Sequence, residues 1–284
     1  MRLLVVDAKN LLFRLCNRVY DDGGIVLPFV NSLNAIKKKF NTSEIVLAWD
    51  GGVSEWRRKL LPSYKSGRRS ENKAIDDILE QGRIIRKVLG NAGIPSLHRE
   101  GIEADDWIFA VLSVCLEAGC NVIIFSNDQD FYQLLDHSVI WNGKEVKTDK
   151  EFVSEFSFSS SVFPQYRAIV GDASDNIFGV PRIGKLGAKN ILSEYGDFYN
   201  FLESGRGSKY YDSVVNHKDR VEMNISLIDL SKFPEKDVLH DHVVDLLAGP
   251  SDFDFKSVVN DINNLSCRTI TLHRILNSIQ EIRV

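Results

Sequence analysis

The chain has 284 residues, with 35 Lys and Arg against 39 Asp and Glu, so its formal net charge is −4. Apolar residues make up 44% and charged residues 26%, which excludes the disordered and fibrous classes. No apolar run approaches the roughly 18 residues of a membrane span, and the opening MRLLVVDAKN is too short and too polar for a signal peptide. The four cysteines have no zinc-site spacing, which favours reduced thiols and a cytoplasmic protein.

Apolar runs that lead to a carboxylate recur through the first half. Residues 3–6 end at Asp7, residues 45–49 end at Asp50, and residues 122–125 lead to Asp128. Such uninterrupted runs are typical of strands covered on both faces. Helical-length stretches lie between them, at about 28–40, 74–90 and 103–118. The alternation predicts an α/β fold with a mostly parallel central sheet and flanking helices, whose ligands gather beyond the carboxyl ends of the strands.

The second half has helix-spaced apolar residues from about residue 159 onward. We therefore expect two parts, an α/β core over 1–158 and a helical region over 159–284. The Ser-rich stretch at 157–161 is the best boundary candidate.

Carboxylates form the most informative set. Taken singly, each acid has an ordinary explanation as a helix cap or a partner of a helix dipole. Taken together, acids that converge at strand ends would repel one another and need compensation. Clustered oxygen ligands without matching His or Cys favour Mg²⁺, with Mn²⁺ as a substitute, and two such ions form a phosphodiester-cleaving arrangement. The nine acids are Asp7, Asp50, Glu103, Asp105, Asp106, Asp128, Asp130, Asp172 and Asp175.

A basic segment follows Asp50. Residues 57–73 hold seven Lys and Arg against Glu71 alone, with Tyr64 among the cations. Backbone phosphates bind such clusters, and aromatic rings stack on unpaired bases. The alternative is a solvated loop, but the position after Asp50 favours a phosphodiester substrate. The six histidines lie outside these motifs, and we expect no catalytic role for them.

A glycine-rich segment, GVPRIGKLG, lies at 179–187 between two predicted helices. Glycines allow close backbone approach, and N–H groups at a helix start can hold a phosphate. The segment lacks the glycine spacing of a P-loop. A plain packing turn and a DNA-binding hairpin both fit it, and its place just after GDASDN favours DNA. The residues that we expect to contact DNA in these two basic regions are Tyr64, Lys65, Arg68, Arg69, Lys73, Arg182, Gly184, Lys185, Gly187 and Lys189.

In this order, the motifs VVDAKN, VLAWDG, PSYKSGRR, GIEADD, FSNDQDF, GDASDN and GVPRIGKLGAKNIL resemble the flap endonuclease and 5′–3′ exonuclease family, particularly its small free-standing bacteriophage enzymes. The resemblance spans about residues 1–195. It implies a PIN-like core, a helical arch at about 64–90 and a helix–three-turn–helix (a helix-hairpin-helix) at about 172–195, which typically holds a K⁺ ion.

The resemblance also implies roles for the acids and cations. Asp50, Glu103, Asp105 and Asp106 would hold a first metal ion, with Asp7 in support. Asp128, Asp130, Asp172 and Asp175 would hold a second. Lys65 and Arg68 would contact the scissile phosphate, and Tyr64 would stack on a base.

The function implied is a Mg²⁺-dependent, structure-specific 5′ nuclease for flapped, nicked or gapped DNA, acting in replication or primer removal. Within the same site, the alternative is a ribonuclease H-like exonuclease that degrades RNA primers in RNA–DNA hybrids. A non-catalytic DNA-binding protein of the same fold and a small RNA-cleaving nuclease of a related α/β type are further alternatives. We expect a monomer without membrane contact, whose DNA polymerase or single-strand-binding partners would be separate chains.

Overall fold

A computed structural model describes residues 1–16, 25–68, 73–249, 252–263 and 269–283. The strands are β1 (Arg2–Asp7), β2 (Glu44–Ala48), β3 (Ser96–Leu97), β4 (Asn121–Phe125), β5 (Ser138–Trp141), β6 (Val146–Lys147), β7 (Gly171–Asp172) and β8 (Ile177–Phe178). The helices are α1 (Ala8–Cys16), α2 (Val26–Phe40), α3 (Glu55–Leu60), α4 (Lys73–Asn91), α5 (Ala104–Glu117), α6 (Asp149–Phe156), α7 (Phe163–Val170), α8 (Lys185–Tyr195), α9 (Phe198–Ser204), α10 (Tyr211–Val215), α11 (Lys218–Ile228), α12 (Lys236–Ala248), α13 (Phe255–Asn263) and α14 (Thr269–Arg283). Among these described helices, none is long and apolar enough to cross a membrane.

The chain forms two compact units, and neither is contiguous in sequence. The sheet unit comprises residues 1–51, 71–126 and 237–284, and the helical unit comprises residues 52–70 and 127–236. The division expected at 158/159 follows a single break in the sequence and does not coincide with these units, so it stays a prediction.

The sheet unit contains parallel strands in the order β3-β2-β1-β4. Residues 3–6 of β1 are fully buried, as expected for a central strand covered on both faces. Register places Asp7 opposite Ala48, and Val6 opposite Phe125. The carboxyl ends of β1, β2 and β4 therefore lie along one edge. The expectation of an α/β fold with a mostly parallel sheet is confirmed.

The helical unit contains two antiparallel pairs, β5 with β6 and β7 with β8, among short helices. Gly171 begins β7 at φ +84°, a conformation that side chains rarely adopt, and a Cβ there would lie 2.4 Å from the Gly179 nitrogen. Asn224 of α11 is fully buried and donates to the Ala168 and Phe178 carbonyls. Through Asn224, α11 thus holds both α7 and the β7–β8 hairpin that carries Asp172.

The segments expected to form the helix–three-turn–helix (172–195) and the helical arch (64–90) are only partly helical. The segment 172–195 begins with β7, a 3₁₀ turn at Ala173–Asp175 and β8, and only α8 within it is α-helical. The helix before the hairpin is α7, which ends at Val170. The arch segment 64–90 contains a 3₁₀ turn at Ser66–Arg68 and most of α4, while residues 69–72 lie outside the described part.

Candidate functional site

Asp7 ends β1 and is held by two donors of the sheet unit. The Asn10 backbone N–H donates to its Oδ1 at 3.0 Å, because α1 begins directly after the strand. The Ser126 hydroxyl, which follows β4, donates to Oδ2 at 2.9 Å. The aligned ends of β1 and β4 thus fix the orientation of this carboxylate.

Asp50 follows β2 and is brought beside the GIEADD motif through Gly51. The Gly51 N–H donates to the Ile102 carbonyl at 2.8 Å, and the Gly101 N–H donates to the Gly51 carbonyl at 3.0 Å. A Cβ at Gly51 would lie 1.8 Å from a carbonyl oxygen of the facing loop, so only glycine fits. The Lys9 ammonium lies 3.1 Å from Asp50 Oδ2.

Glu103, Asp105 and Asp106 surround the start of α5. Glu103 is the N-cap, and its backbone N–H donates to Asp106 Oδ2 at 3.3 Å. Glu103 and Asp106 are each only 2% exposed. The helix dipole and the free N–H groups of the first turn stabilise these charges, so three acids can share one turn.

Asp128 and Asp130 of the helical unit lie at the start of a 3₁₀ turn, Gln129–Leu134. Asp128 caps the turn, since its Oδ1 accepts from the Asp130 N–H at 2.9 Å. Asp130 is the second residue of this turn, so the turn holds the two acids close together.

Asp172 is the N-cap of a second 3₁₀ turn in the same unit, and Asp175 is the last residue of that turn. Asp172 Oδ1 accepts from the Ser174 N–H and hydroxyl, each at 2.8 Å. Asp175 is buried at 7% exposure. The i, i+3 spacing places both acids on a short turn between β7 and β8, where the hairpin rather than an α-helix orients them.

Arg167 of α7 joins the two acid pairs of the helical unit. Its Nε lies 2.9 Å from Asp130 Oδ1, and its NH2 lies 2.5 Å from Asp172 Oδ2. Burial and the neighbouring Asp128 raise the pKa of Asp130 to about 6, and Arg167 opposes that rise. Burial is the largest cause of this rise, so the Asp130 carboxyl group is costly to ionise even with the arginine in place.

Lys65 approaches the same unit's acids from the basic segment. Its backbone N–H donates to the Asp175 carbonyl at 3.1 Å, and its ammonium lies 3.8 Å from Asp175 Oδ2. Lys65 has φ +53°, which is costly for a residue with a side chain. This held conformation places a buried cation beside an acid, as expected of a functional lysine.

Other residues of the basic segment divide into buried and exposed groups. Tyr64 is only 4% exposed and packs within 5.0 Å of the Lys65 ammonium, so stacking on a base stays a prediction that requires the ring to move. Arg57 is buried and donates to the Leu227 carbonyl at 3.0 Å. The expectation that the whole cluster faces phosphates is wrong for Arg57, because its side chain is an internal support. The side chain of Arg68, residue Arg69 and the side chain of Lys73 lie outside the described part.

The hairpin 179–187 exposes Arg182 and Lys185. Arg182 has φ +65°, and Gly184 is the N-cap of α8 without a side-chain cap. Gly187 is buried, where a Cβ would lie 3.3 Å from the Tyr210 ring, so packing explains this glycine. Lys189 donates to the Glu155 carbonyl. DNA contacts of these residues stay predictions.

Three residues that contact the acids were missed from sequence, namely Lys9, Ser126 and Arg167. The available signals were a lysine inside VVDAKN, a serine two positions before Asp128, and an arginine five positions before Asp172. Within the described ranges, no three His, Cys, Asp or Glu side chains form a ready-made metal cluster. The ligand sets therefore stay predictions, although an all-carboxylate donor set in both units fits hard divalent ions.

Two family models together match most of the chain. Residues 2–157 match the family model "5′-3′ exonuclease, N-terminal resolvase-like domain", and residues 158–244 match "5′-3′ exonuclease, C-terminal SAM fold". DNA polymerase I of Borreliella burgdorferi is 30% identical over 253 residues, which are 82% of this chain and 27% of that protein. The chain thus spans about a quarter of the length of such polymerases.

Shorter relatives that are not part of a polymerase, and solved structures, are also similar to this chain. The 5′-3′ exonuclease of Mycoplasmopsis pulmonis is 32% identical over 196 residues, 68% of this chain and 65% of that protein. The T5 protein co-crystallised with metal ions superposes with a TM-score of 0.71, 23% identity and full coverage of both chains. A bacteriophage T5 flap endonuclease complex with DNA and metal ions gives 0.71, 21% identity and coverage of 99% and 100%. The chain belongs to the 5′-3′ exonuclease family.

Proposed function

We propose that the protein is a Mg²⁺-dependent, structure-specific 5′ nuclease that hydrolyses phosphodiester bonds of flapped, nicked or gapped DNA. The observation that supports it most directly is the set of carboxylates, placed at strand ends and turn starts with a cation beside each group. A family of 5′-3′ exonucleases and a fold shared with a flap endonuclease point to the same chemistry.

Divalent ions suit these acids, since carboxylate oxygens are the ligands that Mg²⁺ prefers. Asp50, Glu103, Asp105 and Asp106, with Asp7 in support, would hold one ion, and Asp128, Asp130, Asp172 and Asp175 another. When bound, the ions supply the charge that activates water and stabilises the leaving oxygen. Mn²⁺ would substitute for Mg²⁺.

Lys65 and Arg68 would offset the charge that develops on the phosphorane oxygens. For Lys65 the support is geometric: its backbone is tied to the Asp175 carbonyl and its ammonium is buried beside the Asp175 carboxylate. A cation held in this way is preorganised, so it stabilises the transition state without reorganising. Arg68 rests on the family resemblance alone.

Duplex DNA would rest on the hairpin 179–187. Its support is the exposed pair Arg182 and Lys185 at the uncapped start of α8, where backbone N–H groups favour phosphate. A K⁺ ion would bind at this hairpin.

The proposal extends to the setting of the protein. It would act as a monomer in the cytoplasm of a bacterium or phage-infected cell, with a DNA polymerase or a single-strand-binding protein as partners on other chains.

RNA primers in RNA–DNA hybrids are the alternative substrate, since the same acids would serve both. Replication or primer removal would be the biological setting in either case. A direct test compares labelled flap, nicked, gapped and RNA–DNA substrates with Mg²⁺. We expect 5′-end cleavage of the DNA substrates by the wild type and none by Asp130→Asn.

A matched control is Asp212→Asn, because Asp212 is an exposed acid of α10 in the same unit. This variant should cleave like the wild type. If the wild type leaves every substrate intact at all Mg²⁺ and Mn²⁺ concentrations, the nuclease proposal is wrong.

A further inference from the structure

Arg167 contacts two acids from two separate turns of the helical unit. It lies on α7, with its side chain only 19% exposed. Its Nε donates to Asp130 Oδ1 at 2.9 Å and its NH2 donates to Asp172 Oδ2 at 2.5 Å. One guanidinium therefore bridges the SNDQD and GDASDN motifs.

The same two carboxylates are expected to hold a divalent ion. Asp172 already accepts from Ser174 through Oδ1 and from Arg167 through Oδ2. A guanidinium stays charged at every accessible pH. An ion that binds these oxygens thus meets a fixed positive charge that it must displace or tolerate.

We propose that Arg167 competes with the divalent ion for Asp130 and Asp172, so that the metal-free helical unit carries its own counter-ion. This inference rests on the proposed function. When the ion takes these carboxylates, Arg167 turns to a phosphodiester oxygen, since guanidinium groups bind phosphate as they bind carboxylate. Binding of this ion and binding of the nucleic-acid backbone then reinforce each other. The ion frees Arg167 to bind a phosphate, and a phosphate that binds Arg167 leaves the two carboxylates to the ion.

The opposite role predicts the opposite sign. If Arg167 were a brace that orients the two carboxylates for the ion, its removal would weaken metal binding. If it competes, its removal strengthens metal binding in the absence of DNA. Metal affinity therefore separates the two roles, whereas activity alone falls in both.

The experiment is Mn²⁺ binding to the full chain, measured by electron paramagnetic resonance of free Mn²⁺ in the absence of DNA. We expect Arg167→Met to bind the Mn²⁺ ion at Asp130 and Asp172 about tenfold more tightly than the wild type, since a positive charge close to the ion is lost. Arg167→Lys keeps the charge and should bind as the wild type does. Arg220→Met is the matched control, because Arg220 is an exposed arginine of the same unit that donates to the Gly179 carbonyl.

A second measurement adds a duplex with a recessed 5′-phosphate as the probe. It should tighten Mn²⁺ binding to the wild type clearly, and to Arg167→Met much less. Thermal midpoints in EDTA check folding: Arg167→Met should melt below the wild type and recover with Mn²⁺. If it does not fold, Arg167→Gln takes its place in the same comparison.

Equal or weaker Mn²⁺ binding by the folded variant, or an equal effect of the duplex on both proteins, overturns the inference. A failure of the proposed function looks different. In that case the wild type binds no Mn²⁺, or binds it with an affinity that Asp172→Asn leaves unchanged.

Discussion

The two units place their acids by different means. In the sheet unit, register and helix starts fix the carboxylates: Asp7 ends β1, and Glu103 is the N-cap of α5. In the helical unit, short 3₁₀ turns hold them, and buried or partly buried cations from other elements, Arg167 and Lys65, lie against them.

The difference shows how each unit tolerates concentrated negative charge. Around α5 the backbone itself supplies compensation through N–H groups and the helix dipole. Short 3₁₀ turns have a weaker dipole and fewer free donors, so side-chain cations must do more. The sheet unit also has a lysine beside an acid, Lys9 next to Asp50, but its side chain is 40% exposed. The side chain of Lys65 in the helical unit is only 9% exposed.

The largest expected effect tests whether both units serve one reaction. Glu103→Gln in the sheet unit and Asp172→Asn in the helical unit should each lower kcat about 10²–10³-fold, because a lost ligand costs several kcal/mol of charge stabilisation. Single-turnover cleavage of a labelled flap substrate measures this.

Circular dichroism and thermal midpoints provide the folding control for both variants. A loss confined to one unit's variant would contradict the proposal that the two acid groups act together.

Lys65→Ala is expected to have the next largest effect. Turnover should fall about 10²-fold while DNA binding weakens only slightly, since the cation acts on charge that develops in the transition state. Steady-state kinetics and binding to DNA with Ca²⁺ in place of Mg²⁺ separate these quantities. Lys144→Ala, an exposed lysine of the same unit, is the control and should change neither. Equal losses in turnover and binding would make Lys65 a simple anchor.

The sheet unit was the more predictable of the two from sequence. Apolar runs that end in an acid predict parallel strands and place Asp7 and Asp50 at one edge, and the register confirms that edge. Hydrophobic periodicity reports local structure, and the helix-length stretches of the sequence likewise predicted α2, α4 and α5 to within a few residues of their ends.

The helical unit was less predictable, because its decisive contacts join residues far apart in sequence. Asp130 and Arg167 are 37 positions apart, and no local pattern indicates their ion pair. Arg57 has the same character: a run of cations suggests a solvated or phosphate-binding surface, whereas tertiary packing buries this one beneath α11. The non-contiguous units likewise have no sequence signal.

Asp130 also provides a stability comparison. Its pKa of about 6 exceeds the ordinary 3.8, so the folded protein retains a proton that the unfolded chain loses, and stability falls as pH rises from about 4 to 6. Asp130→Asn should therefore stabilise the metal-free protein by about 1–2 kcal/mol at pH 7.5, allowing for partial solvent screening. At pH 4 the gain should vanish. Urea unfolding in EDTA measures both values.

Asp212→Asn should change stability by less than about 0.5 kcal/mol at either pH. With Mg²⁺ in excess the order reverses, because the wild type gains from binding the ion and Asp130→Asn gains less. A destabilised Asp130→Asn in EDTA at pH 7.5 would mean that the pairing of Asp130 with Arg167 outweighs the cost of burying its charge and the repulsion from the other acids.

The smallest expected effect concerns Ser126, the sheet unit's counterpart of a supporting contact. Its buried hydroxyl donates to Asp7 Oδ2, so Ser126→Ala removes one neutral donor from a carboxylate that still accepts from the Asn10 N–H. We expect a loss of about 1 kcal/mol in unfolding free energy. We also expect half-maximal cleavage to require an about tenfold higher Mg²⁺ concentration, because metal affinity falls. Ser113→Ala is the matched control, because the half-buried Ser113 of α5 donates its hydroxyl to the Phe109 carbonyl of its own helix. If backbone donors are the main support of the acids in the sheet unit, Ser126→Ala should lower activity far less than Lys65→Ala does. Equal losses would show that side-chain support matters as much in the sheet unit as in the helical unit.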